Sequence, residues 1–275
     1  MGLRTDLALE TLTRLENSRL DGADTQTFIN HRAQLEISRT VISSADAARR
    51  LGKPVGRYVT VRAVDGTFDN YSDAFKLRTH IIAREISALC GDKQNVLVAG
   101  IGNASMTPDA VGTLCARGVF ATRHIKQLSA EIDTGDLNEV SVIAPGVLGQ
   151  TGIEASDFIK ALCERVGAAT VIAVDALACS EEENLGRTIQ LTDTGISPGS
   201  GVANSRKELS QATLGARCIA VGIPTVMDCD SFKTPVMVTP RSVDRLVENG
   251  ARYISMSINL ALQPTLSFED IQSLV

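Results

Sequence analysis

Four short apolar runs punctuate the chain: NVLVAGI (95–101), SVIAPG (141–146), ATVIAVD (169–175) and RCIAVGIP (217–224), with helix-patterned segments between them. A run without polar alternation is buried on both faces, and parallel strands, which need crossover helices to join them, are the strands so buried. The reading is therefore α/β, a mostly parallel sheet with helices on both faces, in one domain over residues 1–275. GRYVTVRA (56–63) adds a strand of period two, and RTIQLTD (187–193) another strand. Helices are predicted from about Ser72 to Cys90, with Phe75, Ile82, Ile86 and Leu89 on one face and Gly91 as the stop, and through Phe158, Ile159, Leu162 and Val166 up to Gly167. TPDAVGTLCARG (107–118) reads as a helix with Thr at its cap, Pro at its first position and Gly at its end. Further helices are expected over 205–213, 241–261 and 267–274, and VDGTFDN (64–70) reads as a turn.

With 44% hydrophobic residues in 275, a large core is within reach. The net charge of −5, with no block of like charges, argues against direct nucleic-acid binding, and 4% aromatics without Trp offers no base-stacking platform. Six cysteines without a CxxC spacing read as reduced core residues of a cytoplasmic protein. The N-terminus lacks a signal-peptide pattern, Asp6 stands where a myristoylation signal wants Ser or Thr, and no run reaches 18 apolar residues, so no membrane span is expected.

In open α/β sheets, ligands bind outside the carboxyl ends of the strands. ATVIAVD ends there on Asp175, and GIGNASMTPDAVG brings Asp109 to the same edge through a glycine-containing loop. Either acid has a structural explanation: Asp175 as a strand terminator, Asp109 as a first-turn acid stabilised by the helix dipole. As a pair facing one cleft they could hold a water and divide acid from base work. Exposed N–H groups favour a charged Asp109 and desolvation favours a neutral Asp175, so Asp109 is the expected base and Asp175 the expected acid. The glycine-rich stretch DTGISPGSGVAN (193–204) is able to line an anion or peptide-backbone site, or to be a long turn with Asn204 capping the next helix, and it lacks the Gly-Lys-Ser/Thr of a Walker loop. GIGNAS (100–105) departs from GxGxxG at its last position, which argues against a dinucleotide. Of His31, His80 and His124, none sits in a motif with a Cys or Ser; Cys179 reads as a core thiol, and His124 is the histidine best placed to join Asp109 and Asp175 around a metal.

TPDAVG, ATRHI, APGVLGQTGIEASD, AVDALA, DTGISPGSGVAN, TLGARCIAVGIPTV and INLALQP together resemble the germination protease (GPR endopeptidase) family of spore-forming bacteria, as do RTDLALE and KPVGRYVTV. The resemblance implies an atypical aspartic endopeptidase that degrades small acid-soluble spore proteins in the cytoplasm of the spore core, without a cofactor. Its catalytic pair would be Asp109 and Asp175, and the glycine-rich loop, with Gly195, Gly199, Ser200 and Gly201, would border the substrate. It implies a homo-oligomer, a tetramer, and a fold similar to hydrogenase-maturation endopeptidases, which keeps a metal-dependent peptidase as one alternative and an inactive binding member as another. Family members carry a pro-segment ahead of RTDLA. Only Met1, Gly2 and Leu3 precede it here, so control by removal of a long pro-segment is not expected; the chain is also shorter than typical members, which bears on the tetramer and on any accessory surface for substrate.

Overall fold

The computed structural model describes residues 5–13, 20–68, 74–128, 137–199, 207–229 and 236–275. Its strands are β1 (Ala23–Asn30), β2 (Leu35–Ile42), β3 (Gly56–Ala63), β4 (Asn95–Gly100), β5 (Glu139–Ile143), β6 (Thr170–Cys179), β7 (Thr188–Thr192), β8 (Arg217–Cys229) and β9 (Val236–Val238). The helices are α1 (Ala8–Thr13), α2 (Ala45–Leu51), α3 (Phe75–Cys90), α4 (Val111–Arg117), α5 (Arg123–Leu128), α6 (Leu148–Thr151), α7 (Ala155–Val166), α8 (Gln211–Leu214), α9 (Val243–Leu262) and α10 (Phe268–Leu274). All strands share one sheet in the order β1-β2-β3-β7-β8-β6-β4-β5, with β9 on the far part of β8.

The α/β class holds, and the runs that announced it form the parallel half, β5, β4, β6 and β8. Their continuous apolar character has the expected cause. Val96, Val98, Ile172, Val174, Ile219 and Val221 pack into one core with α3, α4 and α9, while Leu97, Ala99, Val171, Ala173 and Cys218 pack into a second with α7 and α8.

The sheet is not mostly parallel, however: among the described residues five of its eight strand pairings are antiparallel. In that half the two faces differ: one is continuous with the first core, and the other mixes polar groups with a small cluster of Ile42 and Tyr58 against α1 and α2. Val59, Val61, Ile189 and Leu191 join the first core, whereas Thr60, Gln190 and Thr192 on the other face are buried polar groups. Such alternation is the mark of an antiparallel strand, and it is visible in GRYVTVRA and RTIQLTD.

Two expected elements also differ in ways that shape the cleft. β6 does not stop at Asp175; it runs on to Cys179 because β8 accompanies it, pairing Asp175 with Gly222 and Cys179 with Met227. The helix expected over 107–118 is divided into a 3₁₀ turn, Thr107–Asp109, and α4, and the position before the turn is Met106 in extended backbone rather than a Thr cap. Elsewhere α3 ends before Gly91 as expected. α8 starts only at Gln211, behind a Ser210–Thr213 capping box, because Leu209 is held in a bridge to Ile196. Residues 205–206 of the helix expected there, and Asn204, lie outside the described residues.

Candidate active site

β4 leaves the sheet earlier than its neighbour β6. The last register pair is Gly100 with Val174, and Ile101 still donates its N–H to the Val174 carbonyl at 2.8 Å. The chain then turns at Gly102 with φ +114°, where a Cβ would stand 2.0 Å from the Asp109 carbonyl oxygen, so only glycine fits the turn. This departure opens a cleft beside the overhanging part of β6, at the carboxyl edge of the parallel strands.

Asp109 reaches the cleft from the 3₁₀ turn. The Asn103 N–H donates to its carboxylate Oδ2 at 2.9 Å and to its carbonyl at 3.1 Å, and the Thr225 hydroxyl of β8 donates to the Pro108 carbonyl at 2.6 Å. Behind the turn, α4 lies against bare backbone. A Cβ on Gly112 would be 2.2 Å from the Ile101 carbonyl oxygen and 2.3 Å from that of Val174, and one on Gly100 would be 2.0 Å from the Gly112 carbonyl oxygen. Two glycines thus let the helix and its preceding turn sit down on the strand ends.

Asp175 reaches the cleft from β6. It is 4% exposed, and its Oδ1 accepts the N–H of Ala176 at 2.9 Å. Both aspartates line the same cleft of about 350 Å³, with Ile101, Met106, Leu177 and Pro198 among its apolar walls. Sequence reasoning therefore chose two residues, 66 positions apart, that different elements deliver to one cavity.

The other expectations divide. Gly199 lines the cleft; Gly195 lines an adjoining pocket instead. At Gly195, with φ +85°, a Cβ would fall 2.0 Å from the Leu209 carbonyl oxygen, so its role is to permit the Ile196–Leu209 bridge. Ser200 and Gly201 lie outside the described residues. His124 is exposed on α5 and is not among the walls of the cleft, and among the described residues no group of three or more His, Cys, Asp or Glu is arranged to hold a metal ion. Burial pushes the Cys179 thiol up to about 12, which suits a core thiol and not a nucleophile.

Asp6 was missed as a site residue. Its side chain lines the cleft, its Oδ2 accepts the Ala178 N–H at 2.8 Å and its own N–H donates to the Ala178 carbonyl at 2.9 Å. The segment is strapped down on both sides of this contact. Lys53 Nζ donates to the carbonyls of Thr5 at 3.2 Å and Asp6 at 2.9 Å, and Gln190 bridges the Asp6 carbonyl and the Ala8 N–H at 2.9 and 2.7 Å. Burial lowers the Lys53 ammonium from its ordinary value, against the pull of Asp6 and Glu10. Glu10, 1% exposed, accepts from Ser180, Glu181 and Asn184 just beyond β6. The one signal in sequence was an acid repeated four residues on, at 6 and 10, in RTDLALE.

The sequence model described as germination protease matches residues 6–234. A germination protease of Clostridium perfringens is 32% identical, with 98% of each chain covered, and one of Caldanaerobacter subterraneus subsp. tengcongensis is 33% identical, with 100% of this chain and 98% of that one covered. One of Bacillus velezensis is 39% identical over 91% of this chain and 68% of its own. Among solved structures, the [NiFe] hydrogenase maturation protease HycI of Thermococcus kodakarensis KOD1 superposes with a TM-score of 0.38 and 17% identity, over 63% of this chain and 98% of that one. That likeness is too slight to carry an argument.

Proposed function

The chain belongs to the germination protease family, and from that premise we propose that it is an aspartic-type endopeptidase degrading small acid-soluble spore proteins during germination. The site of action would be the cytoplasm of the spore core and the acting form a homo-oligomer. The observation that carries the catalytic reading is that Asp109 and Asp175, from separate elements, line one cleft beside an open strand edge.

In this reading a water held between the two carboxyl groups attacks the scissile carbonyl carbon. Asp109, held by the Asn103 N–H on its Oδ2, takes the water's proton. Asp175, 4% exposed on its strand, gives a proton to the carbonyl oxygen. The tetrahedral intermediate collapses with cleavage of its C–N bond. The departing nitrogen takes the proton from Asp109, and Asp175 recovers its own from the hydroxyl that becomes the new carboxyl group. No covalent enzyme intermediate forms.

The test is incubation of the purified chain with a small acid-soluble spore protein. Discrete fragments are expected, undiminished by a chelator, with kcat reduced by about 10²- to 10⁴-fold in Asp109→Asn and in Asp175→Asn. Loss of cleavage in chelator would favour the metal-dependent alternative. Absence of fragments, or near-normal turnover in both variants, would leave the two acids as structural caps in a binding protein.

A further inference from the structure

We infer that substrate docks as a short added β-strand on the open edge of β6, with the main chain of Ala176 as its anchor. The inference rests on the peptidase reading and deepens it by assigning how a polypeptide lies across the aspartates.

The edge in question faces β4. Its lower end is closed where Ile101 donates to the Val174 carbonyl, the last ladder contact β4 makes. Its upper end is closed at Ala178, and what closes it is informative. Asp6 donates its N–H to the Ala178 carbonyl and offers Oδ2 to the Ala178 N–H, so one residue occupies the place of a strand partner, with a carboxylate standing in for the missing carbonyl. A peptide segment already binds this edge at the neighbouring register position.

Val174 and Ala178 are four apart and direct their amide groups to the same side. Backbone groups of an extended strand alternate in direction, so Ala176, midway between them, presents its own to that side too. Among the described residues, a gap of about 13 Å lies between the two closed positions, at about 3.3 Å per residue. Two further observations mark Ala176. It is the only residue of β6 that is not buried, and it lines the cleft that holds Asp109 and Asp175. Its N–H is taken by Asp175 Oδ1 at 2.9 Å, so the group it presents to a docking chain is its carbonyl.

The geometry selects the occupant. A helix uses its N–H groups internally and brings no main-chain donor to this edge, whereas about three residues of extended chain fit and place one N–H on the Ala176 carbonyl. That register lays the docked backbone directly alongside Asp175, the adjacent residue on the same strand. Recognition through main chain accepts varied side chains, provided the segment is locally unfolded.

The experiment titrates short overlapping peptides that tile a small acid-soluble spore protein onto the Asp109→Asn protein, by fluorescence anisotropy. The best binder is then remade with each amide in turn replaced by an ester, which removes one N–H without adding bulk. One position is expected to weaken binding at least tenfold and its two neighbours to have little effect; the same position should lower kcat/KM in the wild-type chain, which covers the case of a variant that folds poorly. Binding that is indifferent to every ester, or no binding by any peptide, overturns the proposal. Cleavage by the wild-type chain with a flat ester series removes this docking mode and leaves the peptidase reading. A positive ester pattern with no cleavage does the reverse.

Discussion

Asp175 is an acid that a stability criterion alone would not keep. It is 4% exposed on a strand whose other residues are almost all buried and mostly apolar, where an ionisable group carries a desolvation cost. Asp175→Asn should therefore raise the melting temperature by about 2–4 °C while turnover falls, the usual exchange between stability and activity at a site residue. A lower melting temperature would mean that the carboxylate is a structural cap. The cysteines make the contrary case. Burial pushes Cys90 to about 11, Cys179 and Cys218 to about 12, and Cys115 further still. At neutral pH an alkylating reagent should label the partly exposed Cys229 first and leave cleavage intact; loss of activity in step with labelling of Cys179 would contradict this. Both aspartates were legible in sequence because each follows an apolar strand toward the carboxyl edge of the sheet. Asp6 was not, since its partner Ala178 is 172 residues away and nothing in RTDLALE reports that contact.

At the scale of elements, the cleft depends on α4 touching strand backbone through Gly100 and Gly112. Gly112→Ala puts a methyl about where the carbonyl oxygens of Ile101 and Val174 already are, so α4 must lift and take the Asp109 turn with it. A displacement of about 1 Å is expected to cost about 10²-fold in kcat with the far-UV circular dichroism unchanged; wild-type turnover would show that the contact does not position Asp109. TPDAVG reads as a helix start, and nothing in the sequence marks its glycine, Gly112, as a contact, because close approach of backbones is a tertiary fact. The hairpin of β1 and β2 was missed for a local reason: its turn, His31–Gln34, has neither Gly nor Pro, and Gln34 itself adopts φ +51°. Tyr58 of β3 gives this half of the sheet a pH signature. Its hydroxyl donates to the Pro54 carbonyl and burial pushes it up to about 12, against about 10 in the unfolded chain. Below about pH 10 both states keep the proton. Between about 10 and 12 the unfolded chain ionises first, so stability falls as pH rises, and above about 12 the loss is complete. Tyr58→Phe should flatten urea midpoints across that window; an unchanged slope would assign the alkaline loss to other groups.

Taken whole, the molecule is a mixed sheet whose parallel half presents the two aspartates and whose antiparallel half receives the N-terminal segment that joins the cleft wall. The α/β class followed from runs apolar on both faces. The antiparallel half was legible only in part: GRYVTVRA shows its period of two, whereas ADTQTFIN, exposed along nearly its whole length as β1, carries no apolar run. Among the described residues no helix is long and apolar enough to cross a membrane. In the proposed function, one pair of carboxyl groups, Asp109 and Asp175, acts on one water. The most direct measurement is a double-variant cycle on cleavage of a small acid-soluble spore protein, comparing kcat for Asp109→Asn, Asp175→Asn and the two combined. Residues that act as a unit are non-additive, so the combined variant should be no slower than the slower single variant. Losses that multiply, or a single variant that cleaves at the wild-type rate, would contradict a shared water.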